Sequence, residues 1–188
     1  WEGGPTDYFA GRINGDLTID KAGTYTFYLK SDDGSAFSLG GEKLINNDGT
    51  HAAREMTVTL KLEAGTLPLE LLYFEKTGGQ VLELSWSGPD TGGKRVPLGS
   101  DHVSHAKDAV AVPAPVTPEP QHDPAHADGF KASWFATGTG VHRLSDVNFD
   151  AEPANVGTLD SISFKAGTKA FWEGGPTDYF AGRINGDL

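Results

Sequence analysis

The sequence predicts an all-β fold, an antiparallel β-sandwich or barrel, and three observations carry that reading. Apolar and polar residues alternate with a period of two through several successive runs, Gly-rich turn sequences separate those runs, and no stretch shows a helical period. Short strands at such spacing suit an antiparallel sandwich or barrel.

Strand signals begin with Gly-Asp-Leu-Thr-Ile-Asp at 15–20 and, after Lys21-Ala22-Gly23, continue in Thr-Tyr-Thr-Phe-Tyr-Leu-Lys at 24–30. Further along, Met56, Val58, Leu60 and Leu62 alternate with Thr57, Thr59 and Lys61, and Leu67, Leu69 and Leu71 alternate with Pro68 and Glu70. Such alternation suits strands with one buried face. Glu63-Ala64-Gly65 separates those two runs, Lys76-Thr77-Gly78-Gly79 separates 71–75 from 81–86, and Asn47-Asp48-Gly49 marks another reversal. Tyr73, Phe74, Trp86 and Trp134 are expected in the core.

Composition narrows the function. The 188 residues amount to about one domain, and a formal charge of −11 argues against nucleic acid, whose binding depends on basic residues that neutralise phosphates. Ten Phe, five Tyr and four Trp supply enough apolar surface for a packed core. The absence of cysteine excludes disulfides and thiolate chemistry. No stretch approaches the roughly 20 consecutive apolar residues of a spanning helix, so no membrane insertion is expected within this sequence.

The organisation is repetitive. Residues 1–17 (WEGGPTDYFAGRINGDL) recur unchanged at 172–188, which reads as a window on a tandem array with a period of 171 residues. Residues 1–106 then form the body and C-terminal part of one unit, 107–128 a Pro-rich linker, and 129–188 the N-terminal part of the next. The linker carries Pro113, Pro115, Pro118, Pro120 and Pro124, a composition that favours extended polyproline II. On this reading 129–188 closes onto 1–106, and two identical strands compete for one position.

Chemistry concentrates at Ser31-Asp32-Asp33-Gly34, directly after the aromatic strand. Two adjacent carboxylates suit either an Asp-Gly turn or a hard-cation site of the kind calcium prefers. Neighbouring side chains on a regular strand face opposite ways, so a shared ion requires irregular backbone there. The spacings His102/His105 and His122/His126 suit zinc but lack a clear third ligand and read as surface histidines. There is no Gly-x-Ser-x-Gly elbow, cysteine nucleophile or phosphate-binding glycine loop, and no enzyme is expected.

The ordered run Gly-Asp-Leu-Thr-Ile, Ala-Gly-Thr-Tyr-Thr-Phe-Tyr-Leu-Lys-Ser-Asp-Asp-Gly-Ser-Ala-Phe, Asn-Asp-Gly-Thr-His, Leu-Glu-Ala-Gly, Leu-Leu-Tyr-Phe-Glu-Lys-Thr-Gly-Gly and Leu-Glu-Leu-Ser-Trp-Ser-Gly-Pro resembles the protective-antigen (PA-fourteen) domain over residues 15–89. Residues 129–188, opening with Gly-Phe-Lys-Ala-Ser-Trp-Phe, resemble the N-terminal part of the same family. The resemblance implies a β-sandwich in which the Asp32–Asp33 pair has a cis peptide and holds Ca2+, as in yeast flocculins and bacterial surface adhesins. It implies a second ligand loop at 75–80, with the Glu75 side chain and the carbonyls of Thr77 and Gly79 as metal ligands. Glu75 is equally readable as a solvated or core-edge carboxylate. Asp32, Asp33, Asn47, Asp48, His51 and Gln80 are the expected contacts to a carbohydrate, Asn47-Asp48-Gly49 being also a turn and His51 also a core-edge residue. The implied function is a calcium-dependent carbohydrate-binding repeat of an extracellular bacterial adhesin or filament, with surface glycans and neighbouring repeats or copies of itself as partners. The alternatives are a structural repeat that builds a fibre by strand complementation, with calcium only stabilising, and an accessory module of a secreted glycosidase or protease.

Overall fold

The computed structural model describes residues 7–106 and 126–165, and every structural statement below concerns those residues. They form β1 (Phe9–Ile19), β2 (Gly23–Asp32), β3 (Ser35–Leu39), β4 (Glu42–Asn47), β5 (Arg54–Leu62), β6 (Gly65–Glu75), β7 (Val81–Ser87), β8 (Val96–Pro97), β9 (Val103–Ala106), β10 (His126–Asp128), β11 (Phe130–Ala136), β12 (Asn155–Leu159) and β13 (Ser163–Lys165). A single 3-10 turn, Leu144–Asp146, is the only helical element among them.

The strands make two antiparallel sheets. One has eight strands in the order β10-β9-β1-β6-β3-β4, with β11 on β1 and β12 on β11; the other has five, β13-β7-β2-β5 with β8 on β7. Their inner faces share a core in which Tyr25 stacks on Trp86 at 5.4 Å and Phe27 packs on Phe37 at 5.2 Å. Tyr73, Phe74, Trp86 and Trp134 are buried as the pattern predicts, each contributing on the order of 2–3 kcal/mol by burial. The run at 56–62 is an edge strand, which is why Met56 is still 39% exposed although it alternates correctly.

The sequence pattern understates β1. The strand starts at Phe9, six residues before the signal seen at Gly15, because Gly11, Asn14, Gly15 and Asp16 have low strand propensity. Packing explains two of them. A Cβ at Gly11 would lie 2.6 Å from Trp134 Cζ3, and one at Gly15 would lie 2.6 Å from Val103 Cγ1. Tertiary contact selects glycine where strand propensity would not.

Residues 126–165 close onto 7–106: β11 pairs with β1 (Phe9↔Ala136 to Asn14↔Lys131), β10 with β9, and β13 with β7. The last three residues of the expected linker are thus a strand. The rest of that linker, His122, and the second copy at 172–188 lie outside the described residues.

At one end of the sandwich four strand ends converge. β2 of the five-stranded sheet ends at Asp32, while β6 ends at Glu75, β4 ends at Asn47 and β3 begins at Ser35 in the other sheet. Gly34 makes that convergence feasible, since a Cβ there would strike Phe74 and lie 2.9 Å from the Gly49 nitrogen. Its carbonyl oxygen accepts from the Phe74 N–H at 2.9 Å, which extends the β3–β6 pairing by one residue beside the acidic pair.

Candidate metal centre

The backbone is irregular at the acidic pair, as two carboxylates facing one point require: the Asp32–Asp33 peptide is cis. Carboxylate oxygens of Asp32, Asp33 and Glu75 lie within 4.8 Å of one another. Asp33 and Glu75 are buried and Asp32 is half-buried.

Each carboxylate is held differently. Asp33 Oδ1 accepts from the His51 backbone N–H and Oδ2 from the Lys76 backbone N–H, both at 2.9 Å, so it fastens the 47–54 and 76–80 loops to the end of β2. Tyr73 donates its hydroxyl to the Asp32 carbonyl oxygen at 2.6 Å and lies 3.0 Å from Glu75 Oε2. Glu75 Oε1 is buried with no hydrogen-bond partner. An unmatched buried carboxylate oxygen is costly, and a cation or a proton removes the cost.

Electrostatics agree with that geometry. Burial, then Asp33, with smaller contributions from Asp32 and Asp7, pushes the Glu75 carboxyl up to about 9, against the opposing hydrogen bond from Tyr73. Burial and the neighbouring Asp33 also raise Asp32, with the Ala53 backbone N–H and His51 opposing. The donor set is all hard oxygen, without sulfur or imidazole ligands, and its three clustered carboxyl groups carry more negative charge than the buried site accommodates. That is the chemistry a divalent hard cation fits.

The loop residues expected to contact a ligand have other partners. Asn47 is fully buried: its amide donates to Ser31 Oγ at 2.8 Å and to the Arg54 carbonyl at 3.2 Å, and its Oδ1 accepts from Arg54 Nε at 2.7 Å. Ser31 Oγ in turn lies 2.7 Å from Ser35 Oγ. Asp48 Oδ1 accepts from the N–H of Gly49 at 2.8 Å and of Leu144 at 2.7 Å, which seats the 3-10 turn against this end of the molecule. The His51 ring lies 2.9 Å from the Asn47 carbonyl and 3.0 Å from that of Ala52. All three brace the loops around the carboxylates. Thr77 and Gly79 lie on the exposed turn after Glu75, and Gln80 is buried where that turn enters β7.

Sequence reasoning misses the Tyr73 hydroxyl, the Ser31–Asn47–Arg54 network and the contribution of 142–146, where Lys76 Nζ meets His142 Nδ1 at 2.9 Å. A signal for the first was present: Tyr73 and Glu75 stand two apart in a strand and so share a face. The others join residues distant in sequence.

A second group, Asp20, Asp90 and His102, also brings ligand atoms within 4.8 Å, at the opposite end of the sandwich. The described residues do not group His102 with His105, whose Nδ1 lies 3.2 Å from the Gly129 carbonyl oxygen.

The family model of the PA14 domain matches residues 2–100. Among solved structures, the chain is similar to an anti-sigma factor domain-containing protein at 25% identity and TM-score 0.51, covering 57% of this chain and 39% of that one. It is also similar to the PA14 domain of the antifreeze protein MpAFP (22%, TM-score 0.40, 45% of this chain and 46% of that one). A third is a PA14 sugar-binding domain from an RTX adhesin (28%, TM-score 0.45, 50% of this chain and 52% of that one). The chain spans about two-fifths to one-half of the length of these solved chains. No curated protein matches it.

Proposed function

Since the chain belongs to the PA14 domain family, we propose that it is a carbohydrate-binding module of an extracellular adhesin-type protein, and that Asp32, Asp33 and Glu75 hold the Ca2+ through which a sugar is recognised. The observation that carries the metal assignment is Glu75: a buried carboxylate with one unpartnered oxygen, facing two more carboxylates. Calcium takes six to eight oxygen ligands, so an ion bound by protein groups at the rim of a domain has positions left for vicinal sugar hydroxyls.

The chain's own residues prepare that site. Asp33 is oriented by two backbone N–H groups and has no freedom to swing out. The Tyr73 hydroxyl beside Oε2 positions Glu75. At neutral pH Glu75 carries a proton in the metal-free protein and releases it on loading. The exposed 76–80 turn, with Thr77 and Gly79, is where further carbonyl ligands and the sugar would approach, with Gln80 at its base.

A glycan array probed with and without calcium, circular dichroism being recorded in both conditions, tests the reading. Calcium-dependent hits that vanish in Asp33→Ala are expected. A folded, calcium-loaded protein with no hits removes the carbohydrate part, and the absence of any calcium heat in titration calorimetry removes the metal.

A further inference from the structure

The candidate metal centre occupies one end of the sandwich, while one long flank of the five-stranded sheet is open. Strand β5 closes that sheet and, among the described residues, pairs on one side only, with β2 from Gly23↔Leu62 to Ser31↔Arg54. The pairing runs without a register shift, and the strand contains no proline or glycine. Arg54, Glu55, Met56, Thr57, Thr59 and Lys61 are exposed, and Val58 and Leu60 are only half-buried. Sheets protect such an edge with bulges, prolines or inward-pointing charges. Strand β5 has none of these, since Met56, Val58, Leu60 and Leu62 fill its inward positions.

The order of residues in β5 is its own antiparallel complement. With a second β5 alongside and Val58 against Val58, Thr57 meets Thr59, Met56 meets Leu60 and Glu55 meets Lys61. Directly opposed residues share a face, so Met56, Val58 and Leu60 of both copies cover the half-open edge of the core while the Glu–Lys and threonine pairs lie outside. The hydrogen bonds fit as well. Outward N–H and C=O groups recur at every second residue of an edge strand, a spacing symmetric about Val58, so each outward N–H of one copy faces an outward C=O of the other. Charge permits the approach: in a chain of net charge −11, this strand carries two cations and one anion. Glu55 holds Arg95 at 2.5 Å and still remains exposed.

We propose that two copies of this chain join through β5, antiparallel about a two-fold axis at Val58, and merge their five-stranded sheets into one continuous sheet. The contact is isologous and closes at the dimer. It also turns the second copy end over end. Arg54 lies opposite Ser31, next to the Asp32–Asp33 pair, and Leu62 lies at the far end of the strand, so the dimer carries one candidate metal centre at each of its two ends. The pairing stands whether or not either centre holds an ion.

Sedimentation of the full chain from about 10 µM to about 1 mM, the range of weak interfaces, reads the outcome. The parent chain is expected to pass from monomer to dimer and go no further. Glu55→Lys sets lysine against Lys61 of the second copy, and Lys61→Glu sets two carboxylates together; each is expected to weaken the dimer at least about tenfold, with circular dichroism showing both variants folded. Mixed in equal amounts, the two variants face lysine with carboxylate at both positions, and a heterodimer of parental affinity is expected. The chain has no cysteine, so single cysteines read the axis. In Val58→Cys the two thiols face each other and are expected to form a disulfide on mild oxidation, whereas in Met56→Cys they stand about 13 Å apart, too far to bond. The proposal is overturned if the parent chain stays monomeric throughout or grows past the dimer. It is also overturned if the equal mixture is no more dimeric than either variant alone, or if Met56→Cys cross-links as readily as Val58→Cys.

Discussion

The two ends of the sandwich carry three-residue groups of nearly the same composition, and only one of them has the character of a metal site. Asp32, Asp33 and Glu75 are partly or wholly buried, and one carboxylate oxygen lacks any hydrogen bond. Asp20, Asp90 and His102 are half-buried or exposed, and Asp90 is already satisfied: its two oxygens accept from the backbone N–H groups of Asp20 and Lys21 at 3.0 Å. Their ionisation diverges accordingly. Burial dominates at Glu75 and drives its carboxyl up to about 9, whereas at Asp90 burial is outweighed by hydrogen bonds from Tyr25 and the backbone, which hold it below the usual carboxylate range. Proximity of carboxylates is thus a weak criterion. An unmet demand for positive charge is the stronger one.

The largest test of that contrast is Asp33→Ala. The substitution removes a proposed metal ligand and orphans the N–H groups of His51 and Lys76, so calcium binding should disappear in calorimetry and the metal-free protein should lose about 1–3 kcal/mol in denaturant. Glu75→Gln separates the two effects. It keeps the shape but removes the buried carboxyl, so calcium affinity should fall at least about tenfold while the metal-free protein is at least as stable as the parent. A Glu75→Gln protein that binds calcium normally would leave the two ends equivalent.

Proton linkage sharpens the comparison further. Because Glu75 titrates near 9 when folded and near 4.5 otherwise, its contribution to metal-free stability is fully present below about 4.5 and is lost as pH rises through about 9. On the proposed assignment calcium displaces that proton, so affinity should rise with pH, approaching about tenfold per unit between pH 6 and 8. Calorimetry in buffers of different ionisation enthalpy should count about one proton released per ion. Asp90 has the opposite sign: its folded carboxyl titrates low, so its contribution is present at neutral pH and lost only as pH falls through that depressed value.

How much of this was legible in the sequence follows from the range of each interaction. The alternation in β5 and β6 and the turns that separate β5, β6 and β7 are local, and those elements lie where the pattern puts them. Asp32, Asp33 and Glu75 were found through motif order, and the structure brings them together. The first half of β1 was hidden because Gly11 and Gly15 answer to Trp134 and Val103, residues far along the chain. The bracing roles of Asn47, Asp48 and His51 were hidden for the same reason. Asp48 spends its carboxylate on Leu144, a partner that no local pattern reveals.

A smaller effect is expected from Tyr73→Phe. The ring stays buried while the hydroxyl beside the Asp32 carbonyl and Glu75 Oε2 is lost, so the fold should survive and calcium should bind about tenfold more weakly. Circular dichroism separates this from unfolding. An affinity equal to the parent's would reduce Tyr73 to a core residue.

The smallest effect on the metal is expected from Asp90→Asn at the other end. Asp90 holds the turn between β1 and β2 through the N–H groups of Asp20 and Lys21, and an amide keeps one acceptor oxygen in place of two. The cost should be about 0.5–1 kcal/mol of stability, read in urea, because one backbone donor at a solvent-accessible turn then turns to water. Calcium affinity and stoichiometry should match the parent's, since the group lies at the far end of the strands that carry Asp32 and Glu75. A drop in stoichiometry by one ion would show that a half-buried group with its hydrogen bonds met still recruits a cation. Burial and hydrogen-bond debt would then no longer distinguish the two ends.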